Sequence, residues 1–421
     1  MASGDRALVV STASPAHRSG RTDQAPNRRA ATPPSVSVVI ATHDRVEQLG
    51  LCLDALGRQR PSPADFEVVV VDDASSDATA AFLACYRPPY ALTVIRRRQA
   101  RGRATARNAG WRRASGEVVV FMDADVLAAP TLIAEHRRLH EAWCDPGPLV
   151  VSGCPWCWRS VLTVAFPAFS TEQRQRLRRL LAARPAMALR LPPAWDHGGR
   201  PVPLLRPDEL ADFDATMALL AVPASRPARA HFVAPSNAAP FLLFVTRDVS
   251  LRREAVADYG GFWEGFQRYG LADWEFGYRL YRGGATFVAS AAASCVHQEH
   301  PTEAGRDRDN TANFRLFLAL HPHAEVALMA VHPPWRNQRA YASLCRGWHR
   351  LVTLAPDIGA QLTHPLLAHA RSWATARAGY AERSALTPAA AGAAQALQLW
   401  SAQRDPDAAL LLRSLHDVQG R

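Results

Sequence analysis

The chain has no apolar run approaching the roughly 18 to 20 residues that a membrane-spanning helix requires, which excludes an integral helical membrane protein. Residues 1–20 hold an apolar stretch too short for a secretory signal. Cysteine is scarce: seven in 421 residues, an odd count, fit reduced thiols in a cytoplasm better than a disulfide scaffold. Cys154-Pro155-Trp156-Cys157 has zinc-type spacing, but no second Cys-x-x-Cys supplies the other two ligands of a structural zinc, so packed thiols are expected. Ala41–Leu49, after the first predicted strand, contains no glycine, and without a Gly-rich turn an NAD-dependent dehydrogenase is excluded. There is no internal repeat and no heptad pattern. Acidic residues are outnumbered, 38 against 49 basic ones carried by arginine, for a formal charge of +11. That surplus suits an anionic partner, whether nucleotide diphosphate, phospholipid surface or nucleic acid. A nucleic-acid module would need basic residues interleaved with aromatics on one face or a known motif, and neither is evident, so no nucleic-acid partner is expected. The compartment reading is cytoplasmic, with peripheral contact at the inner face of a membrane compatible with the charge.

With 48% hydrophobic and 21% charged residues, most of the chain can bury a core. Residues 1–34 are rich in Ala, Arg, Ser, Thr and Pro and read as a disordered basic segment. Order begins at Ser35-Val36-Ser37-Val38-Val39-Ile40, a run of buried-strand type, followed by helical spacing through Val46, Leu49, Leu53 and Leu56. Phe66–Val71 ends in Asp72-Asp73. A helix over 78–84 and a strand over 92–95 follow. A further helix, 104–114, leads into Glu117–Met122, which ends in Asp123-Ala124-Asp125. Strands apolar on both faces, alternating with helices, predict an α/β fold with a mostly parallel sheet flanked by helices. Such sheets bind ligands at the carboxyl ends of their strands, where both acidic clusters lie.

From 155 to 235 the pattern breaks into prolines and an Arg-rich helical piece, Thr171–Arg190, read as an insertion or acceptor-side segment. Its arginines can form a solvated face, dock on anionic lipid or hold an acidic acceptor. A strand over Phe241–Val245 resumes a domain that spans 35–300, and 301–421 reads as a mainly helical C-terminal extension.

Four Asp-x-Asp pairs occur, and only Asp123/Asp125 directly follows a buried apolar strand. Alternate residues of such a turn can aim carboxylates at one hard cation, Mn²⁺ or Mg²⁺, or can simply cap a helix. Ser37–Arg45, Val70–Asp77, Ala106–Gly110 and Phe121–Asp125, in that order, resemble the nucleotide-sugar half of the family 2 glycosyltransferases of GT-A (nucleotide-diphospho-sugar transferase) fold. The resemblance implies that Asp73 hydrogen-bonds a uracil edge and that Ala41 and His43 line the base pocket. It also puts Arg107 and Asp123 at the donor nucleotide and Asp125 nearest the metal. These assignments suit the chemistry, since a carboxylate can accept from an imide N–H and an arginine offers a fixed fork to phosphate.

A second block, Phe244–Arg253, Gly260–Phe266 and Tyr269–Leu280, is similar to the acceptor half of galactosyl- and N-acetylgalactosaminyl-type transferases and of chondroitin-type polymerases. Their Gly-Trp-Gly-x-Glu-Asp stretch departs here at Tyr269 (for Trp) and Ala272 (for Glu) but keeps the acid as Asp273. The resemblance makes Asp273 the base that takes the acceptor hydroxyl's proton, worth roughly 10² to 10⁴-fold. It makes His297 the imidazole that completes the metal shell, with His300 as the alternative. One base and one metal imply a single displacement with inversion, whereas a glycoside hydrolase needs two flanking carboxylates. The expected partners are a nucleotide-sugar donor, UDP-linked, and a glycan, lipid-linked, peptide or small-molecule acceptor. A catalytically inactive relative, or a basic polyanion- or membrane-binding protein, is the competing reading. Trp156, Trp158, Trp195, Trp263 and Trp274 are sugar-stacking candidates whose default is core packing.

Overall fold

The computed structural model describes residues 8–10, 36–60, 62, 65–153, 160–192, 195, 199–220, 238–301, 305–375, 407, 410, 411 and 414. Apart from 8–10, the expected disordered segment 1–34 lies outside these residues, as do Cys154–Cys157 and Trp158. The chain divides into two units. The first comprises Met1–Pro227, Phe241–Glu264 and Phe276–Glu303, and the second Ala228–Pro240, Gly265–Glu275 and Ala304–Arg421.

The strands are β1 (Leu8–Val10), β2 (Val36–Thr42), β3 (Phe66–Asp72), β4 (Ala91–Arg96), β5 (Val118–Asp123), β6 (Val126–Ala128), β7 (Leu149–Ser152), β8 (Ser160–Val161), β9 (Val164–Ala165), β10 (Val202–Pro203), β11 (Asp248–Arg252), β12 (Thr286–Ala289) and β13 (Cys295–Gln298). Eight of them form one sheet in the order β1-β12-β7-β11-β5-β2-β3-β4, within the first unit. β5, β2, β3 and β4 are mutually parallel, as are β7 and β12. β11 runs antiparallel to both its neighbours. Register puts Ala41 beside Asp123 and Thr42 beside Asp72, so the acidic strand ends share one edge. β6, β13 and β8 make a smaller sheet beyond that edge.

The β-branched strands bury both faces. On one, Val38, Ile40, Val68, Val70, Val120 and Met122 meet Leu49, Leu53 and Leu56 of α1 (Val46–Leu56). α2 (Thr79–Cys85) follows β3. α3 (Arg103–Arg113) covers the other face so closely that a Cβ on Gly110 would lie 2.4 Å from Val39 Cγ1. α4 (Leu132–Ala142) is tied to β11 by fully buried polar groups. His136 Nε2 meets Asp248 Oδ1 at 2.7 Å, and Ser250 Oγ lies 2.8 Å from His136 Nδ1 and 2.9 Å from His140 Nε2. No substrate reaches a Ser–His–Asp set with no exposed surface, so its role is to fix α4.

The segment 155–235 contributes α5 (Thr171–Ala183), α6 (Pro185–Ala188) and α7 (Phe213–Leu220). A capping box starts α5: Ser170 Oγ accepts from Gln173 N–H, and the Gln173 side chain accepts from Ser170 N–H. The strand expected over Phe241–Val245 is instead a 3₁₀ turn, Pro240–Leu243, and pairing starts at Asp248. Phe241, Leu242, Leu243 and Phe244 are all buried, and a short apolar run reads the same whether it is a strand or a buried turn. After α8 (Arg253–Asp258), Phe262 joins Phe121, Phe244 and Phe276 in an edge-to-face cluster with centroids about 5 to 6 Å apart.

The helix α9 (Ala272–Arg282) begins with residues of the second unit. Among the described residues after 301, which the sequence predicts to be mainly helical, lie α10 (Arg306–Leu320), α11 (Ala324–Val331), α12 (Gln338–Leu354) and α13 (Pro356–Thr375). Tyr341 is buried and donates to the Glu325 carbonyl at 2.8 Å, while Phe314 packs edge-on to Trp373 at 5.4 Å. Among the described residues no helix is long and apolar enough to cross a membrane.

Candidate active site

The carboxyl edge of the main sheet gathers four of the motifs read from the sequence. Asp44 and Ala74, both in left-handed backbone (φ 50° and 64°), turn the chain after β2 and β3. The two turns are stitched together. Asp44 Oδ1 accepts from the backbone N–H of Ser76 (2.6 Å) and Asp77 (3.1 Å), and Asp44 N–H donates to Ser75 Oγ (3.0 Å). His43 Nδ1 donates to the Asp73 carbonyl at 2.9 Å, leaving its ring half-exposed beside Ala41. Asp73 is buried. Its carboxylate accepts from Arg101 N–H (3.1 Å) and Gly102 N–H (2.8 Å) and pairs with Arg97 at 3.1 Å, so it ties the end of β3 to the start of α3.

Arg107 and Asp123 stand together. The guanidinium donates to Asp123 Oδ1 at 2.8 Å and lies 5.5 Å above the Phe262 ring, and Thr246 Oγ1 donates to the same oxygen at 3.3 Å. A guanidinium held over an aromatic ring and by a carboxylate at the sheet edge is pre-organised for an anion.

Two residues further on, Asp125 meets both histidines. His300 Nε2 is 3.2 Å from Asp125 Oδ2 and His297 Nε2 is 3.7 Å from Oδ1. Ligand atoms of the three lie within 4.8 Å of one another. His297 comes from β13, which β6 holds antiparallel, so the strand after Asp125 itself supplies the pairing that returns His297. Each imidazole turns its other nitrogen away: His297 Nδ1 is 3.4 Å from Ser160 Oγ, and His300 Nδ1 donates to the Pro301 carbonyl at 2.9 Å. For His300 the carbonyl fixes the tautomer that offers Nε2 to a cation, while the Ser160 hydroxyl can serve His297 Nδ1 as donor or acceptor. Asp125 Oδ1 is buried and accepts no hydrogen bond among the described residues. A buried carboxylate with one orphan oxygen, met by an imidazole nitrogen at each oxygen, fits a divalent cation. Burial pushes the His297 imidazole down to about 4, so it stays neutral and able to ligate at neutral pH. Burial works against the charged form of Asp125, but His297, His300 and the Arg45 guanidinium outweigh it and hold the carboxyl below the usual carboxylate range.

Sequence reasoning missed Arg45, whose Nη1 lies 3.1 Å from Asp125 Oδ2, and Thr246. Arg45 ends the first motif, and a cation one turn from a strand end is a signal that could have found it. His300, the lesser alternative, stands with His297 rather than in place of it.

Asp273 lies in the second unit, in the first turn of α9. The loop before it is held by α10. Asn313 Nδ2 donates to the carbonyls of Arg268 (3.2 Å), Tyr269 (3.0 Å) and Gly270 (2.6 Å), and Arg306 lies 4.5 Å above the Tyr269 ring. Gly270 (φ 91°) leaves room for Asn310, whose Oδ1 would be 1.9 Å from any Cβ there, and Leu271 (φ 65°) accepts left-handed backbone to start the helix. His321 Nε2 is 2.9 Å from the buried Glu275 carboxylate.

The sequence pattern of Glycosyl transferase family 2 matches residues 37–181. The uncharacterized glycosyltransferase YfnE of Bacillus subtilis strain 168 is 30% identical over 278 residues, 66% of this chain and 68% of that protein. The validoxylamine A glucosyltransferase of Streptomyces hygroscopicus subsp. limoneus is 30% identical over 297 residues, 69% of this chain and 57% of the relative. Among solved structures, a mannosyltransferase from Pyrobaculum calidifontis in complex with GDP-Man and Mn²⁺ is similar at 21% identity and TM-score 0.41, over 95% of this chain and 89% of that one. By the motif block and by a relative matched over two thirds of its length, the chain belongs to glycosyltransferase family 2.

Proposed function

We propose that the protein transfers a sugar from a nucleotide-diphosphate donor, UDP-linked, to an acceptor hydroxyl with inversion at the anomeric carbon, in the presence of a divalent cation. The observation that carries this reading is the convergence of Asp125, His297 and His300 at the carboxyl edge of the sheet, with the buried Asp125 Oδ1 facing His297 Nε2 at 3.7 Å. Two imidazoles and one carboxylate favour Mn²⁺ over Mg²⁺, which prefers an all-oxygen shell. When bound, the cation supplies charge neutralisation for a departing diphosphate, which then needs no proton.

The chain's own residues do the rest. Arg107, held by Asp123 and stacked on Phe262, meets the diphosphate. His43 and Ala41, at the end of β2, border the base, and Asp73, whose carbonyl holds His43 and whose carboxylate also accepts from Gly102 N–H, accepts from the uracil edge. Asp273 takes the proton of the acceptor hydroxyl as its oxygen bonds to the anomeric carbon and the bond from that carbon to the diphosphate oxygen breaks. One base with one in-line displacement gives inversion. The glucosyltransferase named above supports a hexose as the transferred group.

A panel of UDP-, TDP- and GDP-sugars assayed for Mn²⁺-dependent hydrolysis tests the donor without knowledge of the acceptor. Turnover of one UDP-hexose is expected. Equal turnover with EDTA present rejects the metal, and an Asp273→Asn enzyme with near-normal transfer rejects the base.

A further inference from the structure

Apart from Ser160, the segment 155–235 has no part in the reading above, yet its helix α5 reaches the metal-ligand strand. Gln173 is buried, and its Nε2 donates at 2.8 Å to both the Glu299 carboxylate and the His300 carbonyl. Its Oε1 accepts from Ser170 N–H at 3.0 Å, so one side chain serves the cap of α5 at one end and the His300 backbone at the other. Arg176, one turn on, pairs with the second Glu299 oxygen at 3.3 Å. From the opposite side, Gln298 donates to the Gln48 carbonyl (2.9 Å) and accepts from Thr163 Oγ1 (2.9 Å), and its N–H donates to the Asp125 carbonyl (2.8 Å). Glu299 N–H donates to Val161 O at 2.8 Å. All three residues from 298 to 300 are thus anchored, and the tie that reaches His300 itself comes from α5.

We propose that Gln173 is a positioning residue for the cation site: α5 holds the His300 backbone so that its imidazole meets Asp125, and the segment 155–235 thereby sets the affinity for Mn²⁺. This rests on the metal reading of Asp125, His297 and His300. Outer-shell partners of metal ligands are worth about 10- to 100-fold in affinity, and a side chain that fixes a ligand's backbone falls in that range.

The test separates positioning from helix stability. Gln173→Glu keeps an oxygen for Ser170 N–H, and so keeps the capping box, but sets a carboxylate against Glu299 and the His300 carbonyl. Ser170→Ala does the reverse, weakening the cap and leaving Gln173 on the strand. Free Mn²⁺ is followed by its EPR signal in titrations of the full chain, with no substrate. His300→Ala, measured alongside, reports on the metal reading itself, and loss of Mn²⁺ binding in it is expected. Gln173→Glu is expected to weaken Mn²⁺ binding at least about ten-fold, and Ser170→Ala to change it less than about two-fold. Should Gln173→Glu fail to fold, Glu299→Gln, which removes the charge that Gln173 and Arg176 share, is expected to weaken Mn²⁺ in the same direction by a smaller factor. If His300→Ala loses Mn²⁺ while Gln173→Glu binds as wild type, or while Ser170→Ala is as weak as Gln173→Glu, the inference falls and the metal site stands. If His300→Ala binds Mn²⁺ normally, the metal reading falls with it.

Discussion

Arg107 is the arginine whose loss the structure prices best. Its guanidinium is 7% exposed, bonded to Asp123 at 2.8 Å and lying over Phe262 at 5.5 Å. Breaking a wholly buried pair costs about 3 to 5 kcal/mol, because the remaining charge is left uncompensated. Asp123, however, is 33% exposed, and water screens what Arg107 leaves behind. Arg107→Ala should therefore cost about 2 kcal/mol, and Arg107→Lys, which keeps charge but loses the fork and the stacking, about 1 kcal/mol. Urea unfolding of Arg107→Ala, Asp123→Asn and the double variant measures the part that belongs to the pair. A coupling of about 1 kcal/mol is expected for two groups in direct contact. Additivity within about 0.3 kcal/mol would show that the two side chains do not support one another, and the pre-organised fork would have to be abandoned.

Ala74 stands at φ 64°, where a side chain costs roughly 1 to 2 kcal/mol and glycine costs nothing. Set against glycine's greater freedom in the unfolded chain, Ala74→Gly should gain about 0.5 to 1 kcal/mol by urea unfolding, and a loss of stability would contradict the strain. Burial holds His297 and His140 neutral down to about 4 and about 3, against an ordinary 6.5. Between pH 6.5 and 4 the unfolded chain takes up protons that the folded one refuses, so stability is full above 6.5 and falls through that window. The slope is about 1.4 kcal/mol per pH unit for each histidine, and an unchanged urea midpoint of metal-free protein from pH 7 to 4.5 would refute it. Asn313→Ala frees the three carbonyls before Asp273, and about a ten-fold fall in kcat with donor KM unchanged is expected. A change confined to KM would instead assign Asn313 to binding.

The alternation of strands and helices and the acidic strand ends were legible because both rest on local pattern: Val38–Ile40, Val68–Val71 and Val118–Met122 can be little else than buried strands. The run Phe241–Val245 misled because four consecutive buried side chains carry no period, and Pro240 started a 3₁₀ turn instead. The sequence pointed to His297 with His300 as its alternative; that both meet Asp125 was out of reach, since the turn after β13 brings both nitrogens there and the spacing alone does not say so. Gln173 was invisible for a different reason. Its partners are 126 and 127 residues away, and within an Arg-rich helix one glutamine carries no signal.

Crystals grown with Mn²⁺ and UDP, measured for anomalous scattering at the manganese edge, address the site most directly. One peak is expected within coordination distance of an Asp125 oxygen and of Nε2 of His297 and His300, with the UDP diphosphate beside it. A peak elsewhere, or a diphosphate bound with those three side chains still facing one another across an empty centre, would contradict the account.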